Sequence, residues 1–71
     1  MTMLKKRSFS LCGHRTSVAL EDEFWAVLEH CARAENASLA AFVARIDAER
    51  GAQPLASALR LAALAAARAG H

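Results

Sequence analysis

The stretch RTSVAL, residues 15–20, alternates strictly and then runs straight into EDEFW, which reads as a helix start. In an extended chain Thr16, Val18 and Leu20 share one face, and Arg15, Ser17 and Ala19 share the other. A strand of this length cannot stand alone, because its amides and carbonyls need a neighbouring strand. Everything downstream reads as helix. The chain therefore has to find a partner for one short N-terminal β-strand in an otherwise mainly α sequence.

Size limits the solutions. With 71 residues the chain forms one domain, and domains this small often lean on disulfides, metal or association. Cys12 and Cys31 are too few for a disulfide scaffold. The hydrophobic fraction is 55%, much of it alanine, which favours closely packed helices and burial against another copy. The longest apolar run, LAALAAA at 61–67, lies between Arg60 and Arg68 and falls far short of the roughly 18 residues a membrane helix needs. SFSLC, after the basic cluster near the start, is too short and too polar for the apolar core of a signal peptide or a lipoprotein site. The expected setting is cytoplasmic, with both thiols reduced and no membrane partner.

Charge is distributed unevenly. Residues 1–20 hold Lys5, Lys6, Arg7 and Arg15 and no acid, whereas residues 21–71 hold five arginines against seven acids. A basic arm on a mildly acidic body suits anion binding, nucleic acid above all, although the same arm would also serve simply as a solubilising terminus.

Along the chain, residues 1–7 read as a flexible basic arm and residues 8–71 as a single domain. SFSL at 8–11 alternates weakly and could form a short strand turned through Gly13; folded back as a hairpin, it would cover or widen the surface of strand 15–20. A helix is expected over 21–36, with Glu21, Asp22 and Glu23 at its electropositive end and Phe24, Val27, Leu28 and Cys31 as the buried stripe. Asn36 suits a left-handed stop. A second helix over 38–50 has Ser38 as its cap and Leu39, Phe42, Val43 and Ile46 as its stripe, and Gly51 ends it. Pro54 opens a third helix, 54–69, with Leu55, Leu59 and Ala62 on one side and Leu61 and Leu64 nearby. Its apolar face is broad, so it is expected to pack on a dimer or to join dimers into a tetramer.

Two-fold symmetry would solve the strand problem. Two chains laying residues 15–20 antiparallel would make a two-stranded ribbon, with Thr16, Val18 and Leu20 facing a shared core and the helices interlocked beneath. Such a ribbon fits the DNA major groove. RTSVALEDEFWAVLEHCARAENASLAAFVARI, residues 15–46, resembles the ribbon-helix-helix family of bacterial DNA-binding proteins in its alternating strand, acidic helix start and short ENAS joint. With LASALRL included, it is similar to a bacterial subgroup carrying a third helix. The resemblance implies an intertwined homodimer whose outward strand residues, here Arg15, Ser17 and Ala19, contact bases. It also implies that the start of the second helix, here Ser38 and Leu39, holds a phosphate, as free amides and the helix dipole allow. Lys5, Lys6, Arg7 and His14 would add phosphate contacts. Ala19 departs from a polar reader, since it offers only a methyl group.

Other chemistry finds little support. Cys12, His14, His30 and Cys31 lack the paired spacing of a structural metal site, and Cys31 lies on the apolar stripe. Trp25 reads as a dimer contact or partly buried core residue rather than a ligand platform. Asp22, Glu23 and Glu29 read as a solvated face. The sequence has no nucleophile–base set, no glycine-rich phosphate loop and no cofactor motif, so an enzyme is not expected. The leading expectation is a DNA-binding transcriptional regulator of the repressor kind; the alternative is an antitoxin-type or protein-interaction module whose third helix docks a partner.

Overall fold

The computed structural model describes residues 3–70. Two strands, β1 (Leu4–Leu11) and β2 (His14–Glu21), precede three helices, α1 (Asp22–Ala34), α2 (Leu39–Glu49) and α3 (Leu55–Arg68). The strands form an antiparallel hairpin in which Lys6 faces Ala19, Ser8 faces Ser17 and Ser10 faces Arg15. At its tip Cys12 and Gly13 both take positive φ, 52° and 79°. That is the backbone of the two-residue turn whose twist matches paired strands.

This corrects the expected architecture of one short strand. Among the described residues the strand paired with β2 is β1 of the same chain, and the other edge of β2 carries no strand of this chain. Residues 4–7, expected in a flexible arm, are the first half of β1; residues 1 and 2 lie outside the described residues. The reason is the inner face of β1. There Phe9 and Leu11 are buried, and Arg7 continues the row over α1, with its guanidinium over Trp25 and bonded to Glu29, while the exposed Lys5 lies near Asp22.

The core closes within one chain. Leu20, Leu28, Val43 and Leu59 come from β2, α1, α2 and α3 and are fully buried together with Trp25. Phe24 and Val27, expected on the buried stripe of α1, are only half-buried; Trp25, Leu28, Cys31 and Ala32 form the buried face instead. The hairpin approaches from that side and turns the stripe toward Trp25. α3 inserts Leu55, Ala58, Leu59 and Ala63 into the same core. It therefore packs on its own chain, leaving Leu61 and Leu64 exposed at 54% and 49%.

Local signals account for the helix ends. Glu21 is the N-cap of α1, with Asp22 and Glu23 in the first turn. At the other end Asn36 has φ 56°, with bonds from the Ala37 amide to the Ala32 carbonyl (2.9 Å) and from the Asn36 amide to the Arg33 carbonyl (3.0 Å). These close the helix as a Schellman motif. Ser38 caps α2 by accepting from the Ala41 amide at 3.0 Å. Gly51, φ 61°, follows α2, and Pro54 is the N-cap of α3 rather than its first residue.

Candidate nucleic-acid interface

Opposed residues of an antiparallel pair point to the same side, so the register divides the hairpin into two faces. The inner face carries Lys5 and Leu20, Arg7 and Val18, Phe9 and Thr16, and Leu11 and His14. The outer face carries Leu4 and Glu21, Lys6 and Ala19, Ser8 and Ser17, and Ser10 and Arg15. Lys6, Ser8, Ser10, Arg15 and Ser17 are exposed and Ala19 is half-buried.

The two faces treat their cations differently. On the inner face Arg7 donates to Glu29 at 2.8 Å, with its guanidinium 5.0 Å from the centre of the Trp25 ring. Lys5 lies 3.8 Å from Asp22, and its carbonyl accepts from Trp25 Nε1 at 2.8 Å. The Phe9 and Trp25 rings are 6.0 Å apart and tilted by 40°. Trp25 thus fixes β1 to α1 from beneath. On the outer face, no hydrogen bond or ion pair among the described residues engages Lys6 or Arg15. Between them the Ser8 and Ser17 hydroxyls share a hydrogen bond of 2.9 Å.

Acid groups around the hairpin are neutralised by arginines. The hydrogen bond from Arg7, helped by its charge, holds the Glu29 carboxyl below its ordinary range. Glu21, at the end of β2, is lowered by a backbone hydrogen bond and by Arg60 of α3, whose guanidinium lies 3.0 Å away. Arg60 also sits 5.8 Å from the centre of the Phe24 ring, tying α3 to the start of α1. These pairs leave the outer face of the hairpin electropositive while the faces beneath it are compensated.

The residues named from sequence fall in three places. Arg15, Ser17 and Ala19 share the outer face, as their alternation requires, and Lys6 joins them. Lys5, Arg7 and His14 lie on the inner-face register. Ser38 and Leu39 lie at the start of α2, where the cap leaves the Leu39 and Ala40 amides without an intrahelical acceptor. Glu29 and Arg33 line the shallow surface beside them. Sequence reasoning missed Ser8 and Ser10 and placed Lys6 on a mobile arm. The signal was present: KKRSFSL alternates in the same sense as RTSVAL once the Arg7 stem counts as cover for an apolar face.

Comparison with known families matches a ribbon-helix-helix domain over residues 4–67, and the chain belongs to that family. The family consists generally of DNA-binding regulators or antitoxins that bind DNA as dimers, and its domains are typically non-catalytic. No curated protein and no solved structure matches the chain. No helix among the described residues is long and apolar enough to cross a membrane.

Proposed function

We propose that this protein binds double-stranded DNA by laying the outer face of its hairpin in the major groove, as a bacterial transcriptional regulator. One observation carries the reading. Two cations with no acid partner among the described residues share the solvent face of a two-stranded ribbon with a row of hydroxyls, while Lys5 and Arg7 on its other face are paired with acids. A ribbon of this width enters the groove, and a guanidinium there matches the two acceptors of guanine. Arg15 and Ser17 read base edges, and Ala19 offers a methyl to thymine. The Ser38 and Leu39 end of α2, with Lys5 and His14, holds phosphates. Arg7 contributes by anchoring the ribbon to Glu29.

Binding to a preferred and a scrambled duplex at low and high salt tests this. Arg15→Ala should cost about 1–3 kcal/mol on the preferred site and relax its sequence preference. Lys5→Ala should weaken both duplexes alike and lower the salt slope. Equal loss on both duplexes for Arg15→Ala would reduce that residue to a phosphate contact.

The exposed Leu61 and Leu64 on α3 favour a second reading, in which the same domain is the DNA-binding half of an antitoxin and α3 docks a protein partner. Co-purification of one stoichiometric partner, lost in Leu61→Lys/Leu64→Lys, would support it.

A further inference from the structure

Glu29 stands where an acid would do harm. It lies on α1 one turn before Arg33, and with Arg33, Ala37, Ser38 and Leu39 it lines one shallow surface. That surface attracts anions. The Leu39 and Ala40 amides at the start of α2 lack an intrahelical acceptor, and Arg33 makes no hydrogen bond or short ion pair among the described residues. A carboxylate free to swing would be drawn to both features and would occupy the place assigned above to a DNA phosphate. In the structure it is not free, because Arg7 of β1 donates to it at 2.8 Å. We propose that Arg7 is a positioning residue that acts through Glu29, holding this carboxylate toward the hairpin so that the start of α2 stays open to phosphate. The inference rests on the DNA-binding reading above and goes beyond it, since there Arg7 serves only to anchor the ribbon.

The hold is effective because Arg7 is itself fixed. Its guanidinium lies 5.0 Å from the centre of the Trp25 ring, and Trp25 is buried and donates to the Lys5 carbonyl next to Arg7 in the chain. A cation stacked in this way offers its hydrogen bond from one direction. The Glu29 carboxyl is kept below its ordinary range first by that hydrogen bond and then by the Arg7 charge, with Arg33 adding least. The carboxylate therefore leans to the hairpin and not along α1 toward Arg33. Lys5 cannot take over the hold, because it lies on the same strand beside Asp22, 3.8 Å away, and does not line the surface at the start of α2. Without Arg7, Glu29 becomes an internal competitor for the anion that the surface would otherwise bind.

The test pairs DNA binding with an amide readout that needs no DNA. In the free full chain, Arg7→Met should shift the Leu39 and Ala40 amide resonances in nitrogen–proton NMR spectra. Adding Glu29→Gln should return them, because the glutamine carries no charge. Arg7→Met should also weaken binding to a preferred and a scrambled duplex alike, by about two- to fivefold, the worth of a carboxylate at a helix start. In the Glu29→Gln background the same change should cost much less. Arg7→Lys, which keeps a cation at the position, should recover most of the loss. Lys5→Ala, a direct phosphate contact in the reading above, should lose the same factor in either background. Circular dichroism verifies the fold of each variant. Unmoved amides in Arg7→Met, or a loss on DNA that is equal in both backgrounds, would overturn the inference while leaving DNA binding standing. Shifted amides in a protein that binds no duplex would uphold the hold on Glu29 and overturn the DNA-binding reading itself.

Discussion

Trp25 joins α1 to β1 twice, through the stacked Arg7 guanidinium and through its Nε1 bond to the Lys5 carbonyl. At 1% exposure it is also the largest fully buried side chain. Trp25→Ala should therefore cost about 3–5 kcal/mol. Trp25→Phe keeps most of the apolar volume and loses the hydrogen bond, so it should cost less, with about 1 kcal/mol from the bond itself. Urea denaturation of both variants checks the order, and a larger loss for phenylalanine would contradict the packing. The carboxylates give a second residue-scale prediction. Glu29 and Glu35 titrate below the ordinary glutamate value of 4.5, held down first by hydrogen bonds from Arg7 and Arg45 respectively. A depressed carboxylate favours the folded state above its unfolded pKa, and that contribution is lost as pH falls through the folded value. Melting temperature should thus be steady near neutrality and fall once the pH passes below the ordinary glutamate range. Arg7→Met should flatten part of that fall, as measured by thermal melts from about pH 7 to about pH 3.

At the scale of elements, the hairpin turn and α3 make opposite demands. Cys12 sits at φ 52° without the tolerance that asparagine or glycine has for that region. Cys12→Asn converts the turn to Asn-Gly, the preferred pair for this geometry, and should stabilise the protein by about 0.5–1 kcal/mol in denaturant titrations. Gly13 has open space around an added Cβ, so Gly13→Ala should be limited to backbone strain, about 1 kcal/mol. α3 is not separable in this way. Leu55, Ala58, Leu59 and Ala63 are buried against the rest of the chain, so removing residues 52–71 opens the core. The truncated chain should lose cooperative melting by circular dichroism. A truncation that melts like the full chain would make α3 an accessory.

For the whole molecule, the closed core predicts that folding does not depend on association. Leu20, Leu28, Val43 and Leu59 are fully buried without a second copy. Melting temperature should then stay constant over about a hundredfold dilution, whereas a fold built by association would melt lower when dilute. Much of this architecture was legible in the sequence. The alternation of residues 15–20, the acidic start of α1, Ser38, Asn36 and Gly51 act through neighbours a few residues away, and they set β2, the three helices and their ends. The same period-two rule put Arg15, Ser17 and Ala19 on one face. What the sequence left open depended on which distant surfaces meet. LKKR reads as part of a charged arm and SFSL only as a possible strand until Trp25 and Glu29 are brought under them, and only that contact makes Arg7 and Phe9 an inner face. Pairing β1 with β2 in turn answered how β2 is satisfied, moved Lys6 onto the outer face, and closed the core inside one chain. Local chemistry determined the elements; burial between segments remote in sequence decided that β1 is a strand and that it pairs with β2.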